Sequence, residues 1–464
     1  MNLQIIILAA GQGKRMYSKT PKILHSIAGK PMLVRVVETA LALQPESIHV
    51  IYGHGGEQIK KALPDLPVHW IKQSEQLGTG HAAKQALPYL PANAPVLILS
   101  GDVPLTQVAT LKNLLHCLSA DTSAKPLALL EASLANPFGF GRILRDEQGT
   151  IRTVVEEKDA SLAEKKITEV YTGMCCTSSD NLARWLPKLG NNNAQNEYYL
   201  TEIIQLAAEE KTPIVSVQVH DEMEIKGVNT RLQLHELERV WQQRHAEALL
   251  EQGVGIADAQ RIDVRGSLIC GQDVYIDVNC VFHGKVVLGD GCIIGPNCVL
   301  KDVVLAPHCE VLAHSVLEGC EAGESCQIGP FARLRTGTQL AAQCKIGNFV
   351  ETKKAHLGTG SKASHLSYLG DVLIGKEVNI GAGTITCNYD GVNKHQTVIE
   401  DGAFIGSDSQ LVAPVTVGAH ATLGAGTTLR RNAPAGELTL TETKQKTLYG
   451  WKRPSKKKVN APVE

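Results

Sequence analysis

From Asp263 onward the chain keeps a rhythm of six. Apolar residues recur at Ile276, Phe282, Leu288, Ile294 and Leu300, resume at Leu305, Val311 and Leu317, and return at Ile328, Leu334, Leu340 and Ile346. A last run holds Ile399, Ile405, Leu411, Val417, Leu423 and Leu429, and glycine often follows the apolar residue, as in "IGP", "LGD", "IGA" and "VGA". Hexapeptide repetition marks a parallel β-helix, in which each coil stacks on the last and the repeated apolar side chain points inward. Chance does not hold one register over so many turns.

The cysteines fit the same frame. Cys280, Cys292, Cys298, Cys309, Cys326 and Cys344 each stand four residues after an inward position, a repeated slot that takes a small side chain. There is no CxxC pair, so packing rather than zinc explains them.

Residues 1–229 follow a different pattern. "QIIILAA", "SIHVIYG", "VHWIK", "PVLILSGD" and "PLALLEASL" read as strands, with "MLVRVVETALAL" and "LKNLLHCLS" as amphipathic helices between them. This order predicts an α/β, Rossmann-like domain: a mostly parallel sheet covered by helices on both faces, with its ligand at the carboxyl ends of the strands. Residues 230–252 carry no Gly or Pro and place Leu234, Leu237, Val240 and Trp241 at helical spacing, a connecting helix ending at Gly253. A third segment, 253–464, is then the β-helix with a basic tail, "WKRPSKKK" at Trp451 to Lys458, which reads as solvated.

Composition narrows the classes. A formal net charge of -1 gives no support for nucleic acid or anionic membrane as main partner. No window approaches the roughly 18 apolar residues of a membrane span, and the apolar start is too short for a secretory signal. A cytoplasmic setting is the working expectation.

"LAAGQGKRM", Leu8 to Met16, follows the first strand. It matches neither the P-loop nor the dinucleotide fingerprint, whose third glycine would fall at Met16. A glycine loop opening a helix offers backbone N–H groups and partial positive charge to phosphate. Arg15 and, in "TPKILHSIAGKP", Lys22 add two flexible cations suited to a triphosphate that leaves as pyrophosphate. Asp102, at the end of another strand in "LSGDVP", could hold a hydrated Mg²⁺; taken alone, an Asp there is more often a turn residue. "SEQLGTGHA" adds a second glycine turn at a helix start.

Together, "LAAGQGKRM", "PKILHSIAGKPM", "EQLGTGHA", "GD", "FGFGRI", "VEEKDA", "NNNAQNEYYLTE" and "GVNTR" resemble the sugar-1-phosphate nucleotidyltransferases. With a hexapeptide half attached, the resemblance narrows to the bacterial bifunctional uridylyltransferase/acetyltransferase family and covers Leu3 to Trp451. It implies acetyl transfer from acetyl-CoA to glucosamine-1-phosphate in the second half, then uridylyl transfer from UTP to N-acetylglucosamine-1-phosphate in the first. The product would be UDP-N-acetylglucosamine, a precursor of bacterial envelope polymers.

For the first half the resemblance implies that Leu8, Ala9, Ala10 and Gly11 line the sugar nucleotide, with Arg15 and Lys22 catalytic on the phosphates. Gln73, Gly78 and Thr79 would read the uracil, and Ser100, Gly101, Gly141, Glu156 and Tyr171 complete the site. Asp102 and Asn229 would hold Mg²⁺. Three positions depart from the family: Tyr171 replaces an Asn, Ser100 a Tyr and Lys14 a Thr.

In the second half the repeats break at "ETKKAHLGTGSKASHLSYLGD" and at "TITCNYDGVNKHQT". Interrupted solenoids place their binding face at such breaks. His365 stands in the first, and a neutral imidazole can take the proton of a sugar ammonium as the amine attacks a thioester. The resemblance makes His365 that base, places Arg335, Lys353, Tyr368, Asn379, Asn388 and Tyr389 on the acetyl acceptor, and lines the acetyl-CoA channel with Ala382, Ser407 and Ala425. It further implies a left-handed β-helix, a homotrimer with shared acetyltransferase sites, and a CoA-binding Arg near the C-terminus, whose place here falls at about Glu442 or Thr443, with Lys444 beside it. Two other readings compete: a monofunctional nucleotidyltransferase whose β-helix assembles or regulates, and a non-catalytic scaffold. His365 and the "CNYDG" loop oppose the first; Arg15, Lys22 and Asp102 oppose the second.

Overall fold

The computed structural model describes residues 2–53, 55–120, 125–442 and 444–454. The chain divides into two compact units, residues 1–268 with 281–285, and residues 269–280 with 286–464.

A nine-stranded sheet organises the first unit. Its strands are β1 (Gln4–Ala9), β2 (Ser47–Tyr52), β3 (His69–Lys72), β4 (Pro95–Ser100), β5 (Leu127–Ser133), β6 (Gly141–Arg145), β7 (Ile151–Val155), β8 (Glu169–Ser178) and β9 (Ile214–Val219). The main order is β3-β2-β1-β4-β8-β5-β9, with the β6–β7 hairpin attached to β8. β1, β2, β3 and β4 run parallel, whereas β8 is antiparallel to both β4 and β5. Alternation along β1 sends Ile5 and Ile7 to one face, under the helices Met32–Leu41 and Val108–Ala120, and Ile6 to the other, under Ser179–Trp185 and Glu202–Glu209. Helices on both faces make β1 apolar from Ile5 to Ala9 rather than alternating. Strand order reverses at β1 and β4, so the two strand ends that the sequence singled out lie side by side, with the Gly101 N–H donating to the Leu8 carbonyl at 2.9 Å.

The helix expected over 230–252 spans Arg231–Glu251. Thr230 and Gln233 close a reciprocal capping box at its start, and Gly253 follows its end with φ 91°. Its apolar stripe is not idle: Leu237 is buried against Met16, Ile27, Met32 and Leu105, with Leu234, Val240 and Trp241 beside it.

The second unit is a left-handed parallel β-helix. Successive coils pair in register, Ile294 with Val311, Val311 with Ile328, Ile328 with Ile346, and Ile405 with Leu423. Every apolar residue picked from the six-residue rhythm is at most 4% exposed. The cysteine slot does more than accept small volume. The thiols of Cys280, Cys292, Cys298, Cys309, Cys326 and Cys344 donate to carbonyls of the next coil at 3.0–3.3 Å, and the Ser361 hydroxyl does the same to Gly375 at 2.6 Å. All twelve cysteines are free.

One of the two expected breaks is absent. Across 351–374 the coil continues in register, Glu351–Leu357 against Tyr368–Ile374. Inward positions held by Leu357, Leu369, Val372 and Ile374 are mixed there with Thr352, Ala355, Ser361, Ala363 and Ser367, all buried but too small or polar to show the rhythm. The second break is real: Ile380 pairs with Ile405 and Val372 with Thr397, so that coil is longer than its neighbours and extrudes a loop around Tyr389 and Lys394, which themselves form an isolated bridge. Trp451 to Pro454 of the basic run are exposed; its remainder and Thr443 lie outside the described residues.

Enlarging a slot residue must push neighbouring coils apart. Cys309→Leu is expected to destabilise the protein by about 1–3 kcal/mol, and Cys309→Ser to cost less because a hydroxyl can still reach the Gly323 carbonyl; denaturant unfolding of the two variants distinguishes them.

Candidate active sites

In the first unit a cleft of about 650 Å³ opens at the carboxyl ends of the strands, the crevice that such sheets offer where strand order reverses. Leu8, Arg15, Thr79, Ser100, Asp102, Gly141, Glu156, Tyr171 and Asn229 all line it. Residues from widely separated stretches of sequence thus share one wall.

Lys22 completes the polar centre. Its Nζ lies 2.5 Å from Asp102 Oδ2 and 3.1 Å from Asn229 Oδ1. Gly13 makes this reach feasible: it has φ 64°, and a Cβ there would stand 2.7 Å from the Lys22 Cβ. Asp102 and Asn229, far apart in sequence, are held together by the Val228 N–H donating to the Asp102 carbonyl at 2.9 Å. The glycine loop itself does not open an α-helix. It is followed by a single 3-10 turn, Lys14–Met16, and then Tyr17 in left-handed conformation, so the expected helix dipole is missing.

The second glycine turn is built around Gln73, which is 2% exposed. Its carboxamide nitrogen donates to the Gly78 carbonyl at 3.1 Å and sits 3.0 Å from His81 Nδ1. A Cβ on Gly78 would meet the Tyr198 backbone at 2.6 and 2.8 Å, and Thr79 Oγ1 accepts from the Leu200 N–H at 3.0 Å. Ala9 is buried at the end of β1, Ala10 and Gly11 follow it, and Gly101 backs onto Ala9.

At the far side, Tyr171 pairs with Gly141 across β8 and β6, and burial pushes its phenol well above the usual range. Burial also raises the Glu156 carboxyl, against an opposing hydrogen bond from the Thr201 hydroxyl at 3.1 Å. Thr201, Phe138, Lys226 and Gln233 line the cleft as well and were not singled out as individual residues. Phe138 and Thr201 lie within the quoted motifs "FGFGRI" and "NNNAQNEYYLTE", whereas Lys226 and Gln233 flank "GVNTR" on either side.

In the second unit, stacking turns spacing into columns. Asn348 pairs with His365 one coil apart, and its side-chain oxygen lies 2.8 Å from His365 Nδ1. An Nδ1–H donated to that oxygen leaves Nε2 as the basic nitrogen. Asn348 was missed, although it precedes His365 by a single coil length. Around the corner, Arg335 and Lys353 occupy equivalent positions on adjacent coils, level with Gly370. A Cβ on Gly370 would stand 2.5 Å from the Tyr368 hydroxyl and 2.8 Å from Asn388 Nδ2, so glycine leaves room for both groups to converge. Asn388 also donates to Asp371 at 2.5 Å, and Arg335 to Glu351 at 2.7 Å. Tyr389 stands exposed on the extruded loop with Lys394 4.4 Å over its ring. Asp390 braces that loop by accepting from the N–H groups of Asn393 and Val392 and pairing with His395, contacts that hold its carboxyl well below the usual range.

Asn379 stands opposite Lys362, on the sheet that carries His365 rather than the one that carries Tyr368. Ala382, Ser407 and Ala425 each follow a register-paired residue by two, after Ile380, Ile405 and Leu423, and so form one column over three coils. Glu442 and Lys444 are exposed beyond it.

Fold and sites therefore define a class: a nucleotidyltransferase domain joined to a hexapeptide-repeat transferase domain. Family profiles agree. Residues 5–151 match the MobA-like NTP transferase domain, 264–355 the GMPPB C-terminal domain, and 396–431 the bacterial transferase hexapeptide (six repeats). Among similar proteins, the Bifunctional protein GlmU of Legionella pneumophila (strain Lens) is 66% identical over 458 residues, 98% of this chain and 99% of that one. Those of Marinobacter nauticus and Xylella fastidiosa (strain M12) are 54% and 53% identical, again over 98% of this chain and 99% and 98% of theirs. The chain belongs to the bifunctional GlmU family, and its activities are uridylyl transfer and N-acetyl transfer.

If Asn348 orients the imidazole, Asn348→Ala should lower kcat for acetyl transfer by about tenfold or more, yet less than loss of the base itself, about 10²–10⁴-fold. Steady-state kinetics of Asn348→Ala and His365→Ala test the ranking.

Proposed function

We propose that residues 253–464 acetylate glucosamine-1-phosphate and residues 1–229 uridylylate the product, with 230–252 connecting them. The observation that carries this reading is the pairing of two unlike polar centres on two separate units: Lys22, Asp102 and Asn229 in the cleft, and an Asn348-anchored His365 on the β-helix.

At His365, Nε2 takes the proton of the substrate ammonium. The freed amine then attacks the thioester carbonyl of acetyl-CoA, the C–S bond breaks, and the second proton lost by the nitrogen passes to the sulfur, so that CoA leaves as the thiol. Arg335 and Lys353 meet the sugar phosphate, while Tyr368, Asn388 and Tyr389 orient the ring from one side and Asn379 from the other. The Ala382, Ser407 and Ala425 column offers a path of small side chains along which acetyl-CoA can lie. Exposed Phe331 and Phe349 stack at 5.3 Å beside Asn348 and Leu366, adjoining the His365 corner. Such an apolar row is suited to burial against a second and third copy of the chain, and supports a homotrimer.

In the cleft, a sugar-phosphate oxygen attacks the α-phosphorus of UTP in line and pyrophosphate leaves. No protein nucleophile is needed; positioning and charge carry the rate. Arg15 and Lys22 hold the triphosphate, Leu8 to Gly11 and the Gln73, Gly78 and Thr79 turn hold the uridine, and Ser100, Gly101, Gly141, Glu156 and Tyr171 border the sugar. Asp102 and Asn229 fit a divalent cation: two oxygens converge on one point where a cationic group, the Lys22 ammonium, already sits. Mg²⁺ keeps most of its ligands as water and phosphate, so two protein oxygens suffice. When bound it would offset charge on the phosphates of UTP. A reducing cytoplasm accords with twelve free thiols.

The two centres should fail independently. His365→Ala is expected to abolish CoA thiol release and spare pyrophosphate release, and Asp102→Ala to do the reverse; joint loss in either variant overturns the assignment. In sedimentation the protein should run at three times its 49.9 kDa chain mass, and a monomer at assay concentration would sink the trimer.

A further inference from the structure

We propose that Lys22 is a resident counter-charge of the metal site and must swing out before a divalent cation can enter, so that nucleotide and metal load cooperatively. The inference rests on reading Asp102 and Asn229 as the metal-holding pair. It begins from an overlap: the Lys22 ammonium contacts the same two oxygens, Asp102 Oδ2 at 2.5 Å and Asn229 Oδ1 at 3.1 Å, that the cation would use. Mg²⁺ bonds oxygen at about 2.0–2.1 Å. Two cations on one oxygen pair would stand within a few ångströms of each other, where like charges repel strongly.

Only one partner in this contact can move cheaply. Asp102 follows the end of β4 and is tied through its carbonyl to the Val228 N–H, while the Asn229 N–H donates to Gln233 Oε1 at 2.8 Å beside the capping box. The backbones that carry the two oxygens are thereby anchored, and each oxygen stands on a short side chain. Lys22 instead reaches them on a flexible four-carbon stem, starting from a short turn over Gly13. Its side chain is only 10% exposed in this contact. The nucleotide side of the cleft offers a better partner, since a triphosphate carries more negative charge than one carboxylate and Arg15 already lines that wall. As phosphate draws Lys22 away, the oxygen pair is uncovered. Reciprocally, a cation that displaces Lys22 leaves an ammonium free to bind phosphate, because coupling between two sites acts equally in both directions. Lys22 is then a positioning residue for metal as well as a phosphate ligand.

Mn²⁺ binding to the full chain without nucleotide, followed by the electron paramagnetic resonance of the free ion, provides the test. Lys22→Met should bind Mn²⁺ about 5–150-fold more tightly than the wild type, the usual span of a coupling between sites, and adding Asp102→Asn should remove that gain. Equal or weaker binding by Lys22→Met overturns the displacement while leaving the metal pair standing. Binding by neither wild type nor Lys22→Met overturns both. A second measurement needs no variant: reductive methylation of Lys22 in the wild type, read by mass spectrometry, should speed up as Mg²⁺ is added, whereas an unchanged or slower rate refutes the swing.

Discussion

Backbone pairing between coils is the constraint on which the second unit depends. Each coil must present the same row of N–H and C=O groups to its neighbour and the same volume to its interior, which holds successive coils to nearly equal length. Once the inward row is aligned, the outward rows align as well. The candidate site residues stand on those outward rows: Asn348 meets His365, Arg335 and Lys353 stand level with Gly370, and Ala382, Ser407 and Ala425 fall into a column. The arrangement of this candidate surface is thus a by-product of core register, and outside the one long coil a residue one coil away in space is a nearly fixed distance away in sequence.

The first unit reaches a similar end by a different route. Here the binding surface comes from strand order, because β1 and β4 are neighbours whose following loops open into the same crevice. Close approach then replaces periodicity as the organising device. Gly101 lets the end of β4 pass Ala9, Gly13 lets Lys22 cross beneath the loop, and Gly78 lets its turn lie against the Tyr198 backbone. At each of these three positions a Cβ would crowd another group, which accounts for glycine there without a dinucleotide fingerprint.

Legibility followed the size of the buried side chain. Where the inward residue is Ile, Leu, Val or Phe the coil could be read directly, and every such residue picked from the rhythm is buried. Where it is Thr352, Ala355, Ala363 or Ser367 the coil looked broken although it is intact. β8 escaped notice for a related reason. Its run "EVYTGMCCTS" mixes glycine, hydroxyls and thiols, and Thr172 and Thr177 become compatible with burial only by donating to the Leu130 and Pro126 carbonyls. The helix expected after "LAAGQG" shrank to one 3-10 turn because left-handed residues bracket it at Gly13 and Tyr17.

Sequence by itself determined the two architectures, the rhythm of the coils, the candidate cations and carboxylate of the cleft, and the imidazole of the β-helix, because each depends on local pattern or on a motif short enough to read. Tertiary structure decided which of these groups meet. Asn229 reaches Asp102 from a distant part of the chain through the Val228 hydrogen bond, Lys22 settles between them, and Asn348 Oδ1 meets His365 Nδ1 one coil away. Such contacts depend on which strands and coils become neighbours, and that is settled only when the whole sheet and the whole stack have formed.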